Sequence, residues 1–317
     1  MAGGQERALR RRIKSVQSTK KITRAMELIA ATRVVKAQER ANAARPYSQQ
    51  ITNVILDLGG LGTEGTHPLL RKDGTANRSA FVVITSDRGL CGAYNSAVIR
   101  AAEREIAARK ADGIDYSLIL IGKKANTYFR FRGYDIAASF YDLTDRPDYE
   151  DARAVSVAVR TMFEEGECDT VDLVYQRFIS AGSQEVVVRR FLPLETVDPD
   201  DPGPTELHAS IEFEPSPEGI LDELLPRYVE ARLFAALLDA SASEHASRQR
   251  AMKAATDNAE ELIISLARVM NRARQDAITG EIMEIVGGAE ALHSGKSDEV
   301  ALSPSLLVPE SLTNRSA

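Results

Sequence analysis

The 317-residue chain has no tryptophan and only two cysteines, Cys91 and Cys168. Two thiols exclude a disulfide framework and a thiolate metal site, and they fit a reducing compartment. The four histidines, His67, His208, His245 and His293, show no metal-ligand spacing. No run of about 18 apolar residues occurs, so the sequence predicts no membrane-spanning helix. The opening Met1-Ala-Gly-Gly-Gln-Glu-Arg7 lacks the apolar core of a secretory signal, and export is not expected. Two absences are local. Arg227 to Thr279 holds neither glycine nor proline, and 195–226 holds neither lysine nor arginine.

The net charge of -6 hides an asymmetry. Residues 1–45 carry twelve Lys/Arg against Glu6, Glu27 and Glu39, a balance of +9, whereas 195–226 carry ten Asp/Glu. A basic arm suits nucleic acid, an anionic surface or an acidic protein, or is a solvated helix face. Base-stacking aromatics are missing from it, since Tyr47 is the first aromatic in the chain.

Both ends of the chain read as long helices. Leu9, Ile13 and Val16 step four and three apart, as do Ile22, Met26 and Ile29, and alanines 30, 37, 41 and 44 extend a narrow stripe. Pro46 is expected to kink or interrupt this helix, and Gly59-Gly60 to stop it. Near the other end, Met252, Ala255, Ala259, Leu262, Leu266, Val269 and Ala273 step three and four alternately. Ile278, Ile282, Ile285, Ala289 and Leu292 continue after a slip, which makes a coiled-coil seam. At about 1.5 Å per residue, 218–292 as helix extends on the order of 110 Å. One helix that long cannot bury its own stripe, and the first helix is the available partner.

Between the helices the pattern alternates. Strands are expected at 81–84, 118–121, 171–178 and 186–191, with helices at 96–111, 123–132 and 149–165. This predicts a layered, Rossmann-like α/β domain with a largely parallel sheet. Residues 207–213 add a candidate edge strand. The organisation is therefore a helix over 1–60, an α/β domain over 75–215, a helix over 217–293 and a disordered tail over 294–317.

Nothing in the middle domain carries recognisable chemistry. Thr85-Ser-Asp-Arg-Gly-Leu-Cys-Gly-Ala-Tyr-Asn95 follows a strand, where a dinucleotide fingerprint would sit. Its spacing is Gly89-x-x-Gly92, and neither G-x-G-x-x-G nor a G-x-x-x-x-G-K-[ST] phosphate loop occurs. A hydrolase nucleophile elbow is also missing. Cys91 reads as a small buried residue in a tight turn, while Asp87 and Arg88 can pair together or cap the next helix. Long rigid rods span distance or transmit force.

At this point the wording resembles a family. The stretch Ile13-Lys-Ser-Val-Gln-Ser-Thr-Lys-Lys-Ile-Thr-Arg-Ala-Met-Glu-Leu-Ile-Ala-Ala31, with Lys36-Ala-Gln38 and Arg45-Pro-Tyr47, resembles the opening helix of F-type ATP synthase gamma subunits. Thr85–Asn95 resembles that family's central signature. Ala251–Ala259, Asn271–Gln275 and Ile278–Ala289 resemble its closing helix. A coiled-coil tether would share the helices without sharing the Asn271–Gln275 wording.

The resemblance implies an antiparallel coiled coil of the two terminal helices, inserted in a ring of three alpha and three beta subunits. The α/β domain is then a foot that binds the epsilon subunit and stands on the membrane c-ring. Proton flow turns ring and shaft, ATP and magnesium stay on the alpha and beta subunits, and the chain is a non-catalytic, peripheral part at the cytoplasmic face of the cell membrane. It maps a beta-subunit contact onto Met26, Lys20, Lys21 and Arg24, and polar catch residues onto Arg248, Gln275 and Thr279. The axle tip, with Ile282, Ile285, Ala289 and Leu292, is expected to turn in an apolar sleeve, with its helix carried through Gly287-Gly288. Paired regulatory cysteines of the chloroplast kind are missing, so thiol switching is not expected.

Overall fold

The computed structural model describes residues 2–59, 67–70, 77–194 and 216–299. They divide into two compact units, 21–257 and the end segments 1–20 with 258–317. Two helices run through both: α1 is Ala2–Gly59 and α5 is Pro217–Glu299.

The unit 21–257 is built on a five-stranded sheet. Its strands are β1 (Arg78–Ile84), β2 (Asp115–Ile121), β3 (Ile136–Phe140), β4 (Thr170–Phe178) and β5 (Gln184–Leu192). They lie in the order β3-β2-β1-β4-β5, with β5 antiparallel to β4 and the other pairs parallel. Helices α2 (Tyr94–Ala111) and α3 (Lys123–Phe131) carry the first two crossovers, and α4 (Tyr149–Glu164) carries the third. Strand periodicity sorts the core. Phe81, Val83, Leu118 and Leu120 pack with Val98, Ala102, Ile106 and Phe129 of α2 and α3. Ala80, Val82, Ile84, Ile119 and Ile121 pack with Val155, Val159 and Phe163 of α4, and with Leu225, Val229 and Leu233 of α5. Alternate residues pointing to opposite faces explain why both runs are apolar throughout. Strand β3 has no counterpart among the sequence-based strands, because Ala137 and Ser139 dilute its apolar signal. The candidate strand at 207–213 lies outside the described residues.

Helix α1 passes through Pro46 without interruption. The missing N–H leaves only the Asn42 carbonyl without its helical partner, and the turn from Arg45 to Tyr47 is exposed, so water can satisfy it. Within 21–257, α1 and α5 run antiparallel. Thr256 donates its hydroxyl to that of Thr23 at 2.8 Å, and ten residues further along α1 the Arg33 side chain meets Asp145, whose carbonyl faces His245.

The covered positions define the seam, and they correct its phase. On α1 one line of covered positions, Glu6, Leu9, Ile13, Val16, Lys20, Thr23, Glu27, Ala30, Val34 and Ala37, keeps an alternation of three and four, with Met26, Ala31 and Arg33 partly covered beside it. Ile22 (60% exposed) and Ile29 therefore lie outside it. On α5 the matching line is Met252, Thr256, Ala259, Ile263, Leu266, Met270, Ala273 and Ala277, with Ala251, Ala255 and Ala267 partly covered beside it. Met252, Ala255, Ala259, Leu266 and Ala273 are covered as the sequence reading expects, whereas Leu262 (41%) and Val269 (49%) are exposed. Two apolar heptad phases coexist on this helix, and periodicity alone cannot say which one the chain itself covers. The exchange of Leu266 for Ala is expected to destabilise the chain by about 2 kcal/mol, and that of Leu262 to stay within about 0.5 kcal/mol. Urea unfolding of the two variants checks this; equal losses would restore the other phase.

Candidate functional site

The signature loop after β1 is locked by its own side chains. Ser86 donates its backbone N–H to Asn95 Oδ1 at 2.9 Å, and Asn95 Nδ2 donates back to Ser86 Oγ at 2.7 Å. Asp87 caps α3 rather than the adjacent α2, accepting the Lys123 N–H at 3.1 Å, and accepts the Thr144 hydroxyl at 3.1 Å. The loop turns through positive φ at Leu90 and Gly92. Cys91 is buried against Ser86 and Asn95, and burial pushes its thiol pKa up, which disfavours the thiolate a nucleophile needs.

In an open α/β sheet, ligands bind beyond the carboxyl ends of the strands where the chain reverses its direction of winding, here between β1 and β4. In this molecule α5 lies against the loop at that place. Tyr94 donates its hydroxyl to the Ala240 carbonyl at 3.2 Å, and Arg248 Nε and Nη2 each donate to the Gly89 carbonyl at 3.4 Å. Arg248 is only 8% exposed. Its Nη2 donates to Glu244 Oε1 at 2.5 Å, and its Nη1 lies 3.3 Å from His245 Nδ1. His245 presents Nε2 to the Asp145 carbonyl at 3.1 Å, so Nε2 carries the proton and Nδ1 accepts from Arg248. Burial lowers the His245 pKa, which keeps the ring neutral.

Asp145, Glu244 and His245 bring three potential metal-ligating atoms within 4.8 Å of one another. Arg33 already pairs with Asp145, and Arg248 with Glu244. Two guanidinium charges on two carboxylates leave no net negative charge to attract a cation, and the cluster is an ion-pair clamp joining α1, the loop before α4 and α5. Sequence reading missed it. The Glu244/Arg248 spacing of four on a helix was the available signal.

The remaining expected contact residues lie on the helix surfaces. Lys20 Nζ stands 3.1 Å from Glu260 of α5, and Arg24 pairs with Glu27 of its own helix at 2.8 Å. Lys21 is exposed and Met26 is half-covered beside the seam. Gln275 and Thr279 are exposed, whereas Arg248 faces inward. All residues from Glu281 to His293 are exposed, including Ile282, Ile285, Ala289 and Leu292, and the helix does continue through Gly287 and Gly288. Exposed Ile22, Leu28, Ile29 and Val35 on α1 and Leu262, Ile264 and Val269 on α5 extend this apolar display. Exposed apolar side chains in such number mark protein contact surfaces.

Comparison with known proteins agrees along nearly the whole chain. The family model described as ATP synthase matches residues 5–292. An ATP synthase gamma chain from Parafrankia sp. (strain EAN1pec) is 51% identical over 296 residues, covering 92% of this chain and 99% of that one. The gamma chain of Kineococcus radiotolerans is 46% identical, covering 93% and 99%. Among solved structures, a chain of the Euglena gracilis mitochondrial ATP synthase (OSCP/F1/c-ring, rotational state 3) superposes with a TM-score of 0.66 at 19% identity, covering 98% of this chain and 99% of that one. A chain of the Tetrahymena thermophila mitochondrial ATP synthase central stalk and c-ring gives 0.57 at 24% identity, covering 74% and 99%. These two likenesses speak to the fold.

Proposed function

The chain belongs to the ATP synthase gamma-chain family, and from that membership we propose how its surfaces are used. It is the central-stalk rotor of an F-type ATP synthase, with alpha, beta and epsilon subunits and the c-ring as partners. The paired helices are the shaft, and the α/β unit is the foot. The observation that carries this reading is the apolar display on α1 and α5, which two helices that were only each other's partners would not need. No helix of the described residues is long and apolar enough to cross a membrane, so the foot meets the c-ring from outside the bilayer. In this proposal ATP and magnesium stay with the alpha and beta subunits, the chain has no catalytic site of its own, and the complex sits on the cytoplasmic face of the cell membrane.

The catch contact rests on Gln275 and Thr279, whose exposed side chains are free to meet polar groups of a beta subunit. Met26, Lys20, Lys21 and Arg24 form the second contact. Arg248 reaches a partner only by leaving Glu244, so its contribution is to hold the shaft on the foot. Replacing Gln275 and Thr279 together by Ala is expected to weaken assembly by about 1–3 kcal/mol, if both contacts are desolvated in the complex. The isolated chain should keep its unfolding midpoint, since neither residue is on the seam. Titration of the variant against alpha–beta complexes, with ATP hydrolysis and proton pumping read together, tests the assignment. Normal affinity with normal coupling would remove both residues from the contact.

A further inference from the structure

The two long helices are fastened to the α/β unit in different ways. Within 21–257, α5 is keyed into the core by Leu221, Leu225, Val229, Leu233, Leu237 and Ala240. Among the described residues, α1 contributes only Ile51 and Ile55 to that core, and between Ala41 and Thr52 it borders a cavity of about 550 Å³. Nearer the seam, α1 reaches the α/β unit through two guanidinium groups. Arg33 pairs with the Asp145 carboxylate, and Arg40 Nη2 donates to the Pro147 carbonyl. Both acceptors lie on one short segment, Asp142–Asp148, between β3 and α4.

That segment is anchored at both ends and in the middle. Lys123 Nζ of α3 stands 2.7 Å from Asp142 Oδ1. Thr144, 3% exposed, donates its hydroxyl to Asp87 Oδ2 of the signature loop at 3.1 Å. The Asp145 carbonyl lies 3.1 Å from His245 Nε2 and accepts the Ser241 hydroxyl at 3.4 Å, both from α5. Asp148 and Asp151 cap α4 with reciprocal bonds of 2.9 Å, and the Tyr149 hydroxyl donates to Glu230 of α5 at 2.8 Å. Pro147 has a fixed φ and biases Arg146 toward an extended backbone, so the segment is stiff as well as short.

We propose that Asp142–Asp148 is a brace that makes α1 turn with the foot, and that Asp145 is its positioning residue. Asp145 holds α1 by its carboxylate and α5 by its carbonyl. This role rests on the rotor function proposed above, in which the foot must carry both helices round. A foot that gripped α5 alone would let the pair swivel about the α5 axis. Packed helices stand about 8–10 Å apart, so a tie on α1 resists that swivel with a lever arm of this length. Arg33 and Arg40 lie two turns apart, about 10 Å along the helix, and two ties at that spacing also stop α1 from tilting about a single contact. The planar guanidinium fork loses less freedom per hydrogen bond than an ammonium on a flexible stem, which suits a fastening.

Spin-label distances in the assembled complex test the brace. Cys91 and Cys168 are buried, so labels go selectively onto Phe131→Cys of the foot, paired with Lys36→Cys of α1 or with Lys253→Cys of α5, all at exposed positions. Arg33→Ala with Arg40→Ala should widen the 36–131 distance distribution about twofold, since one of two parallel fastenings is lost, and should leave the 253–131 distribution unchanged. Asp145→Asn keeps the carbonyl and its bonds to α5, and should widen the 36–131 pair alone by a smaller factor. Arg33→Lys with Arg40→Lys keeps both charges and should recover most of the narrow distribution. Two results overturn the brace. One is a 36–131 distribution that stays narrow in both the Ala and the Asn variants. The other is equal widening of the two pairs with a lowered urea midpoint, which marks a general loss of packing. The distances are read on this chain whether or not the complex turns, so failure of the rotor function would show separately, as ATP hydrolysis without rotation of a probe on the foot.

Discussion

Replacing Arg248 by Ala lowers the stability of the chain by about 3–5 kcal/mol at neutral pH, because it strands a buried carboxylate. Glu244 is 1% exposed and loses its one guanidinium partner, while the Gly89 carbonyl and His245 Nδ1 lose their donors. Burial already raises the Glu244 pKa even with Arg248 beside it. Without the arginine it rises further, and a raised folded-state pKa means stability that is present at low pH and lost as pH rises through it. The penalty therefore shrinks in acid, as Glu244 takes up a proton. Urea midpoints of wild type and variant, compared at neutral and acidic pH, measure this. The double variant Glu244→Leu with Arg248→Met, which removes both charges at similar volume, should recover most of the loss. A loss under about 1 kcal/mol at neutral pH would show that the clamp is solvated in solution.

The second large effect is expected at Gly122, which ends β2 and precedes α3. Its φ is +95°, and a Cβ there would stand 2.2 Å from the Thr85 carbonyl oxygen and 2.7 Å from the carbonyl carbon. Neither atom can yield, because the Thr85 N–H and Oγ1 both donate to the Ile121 carbonyl and Thr85 Oγ1 accepts the Ala125 N–H. Backbone strain and overpacking together make Gly122→Ala cost roughly 3 kcal/mol or more. The control is Gly113→Ala, at φ +77° with nothing near the added atom, for which only the conformational term of about 1–2 kcal/mol applies. Thermal unfolding of both variants separates the terms. Equal losses would contradict the close approach of β2 to the signature loop.

These two positions also mark where sequence reading stops. The strands at 81–84 and 118–121 were legible because buried parallel strands are apolar on both faces, and long helices were legible because the chain avoids glycine and proline from Arg227 to Thr279. The seam was legible only in part. Thr23, Glu27 and Thr256 occupy it, and a reader who follows apolar side chains passes over them to Ile22, Ile29 and Leu262. Those apolar residues are exposed on the helices, and under the proposed function other subunits cover them, so their meaning depends on chains outside this sequence. Arg33 and Asp145 lie far along the chain from Glu244, His245 and Arg248, and only the fold brings the two groups together. Gly122 looks like any loop glycine until Thr85 is placed beside it.

The central claim is that this chain turns inside its complex. Cys91 and Cys168 are both buried, so a cysteine introduced at Phe131, which is 87% exposed on the foot, can be labelled selectively. With a probe attached there and the assembled alpha–beta ring fixed to a surface, addition of MgATP should produce continuous rotation of the probe in one direction. ATP hydrolysis by the same immobilised complexes with the probe standing still would contradict the account.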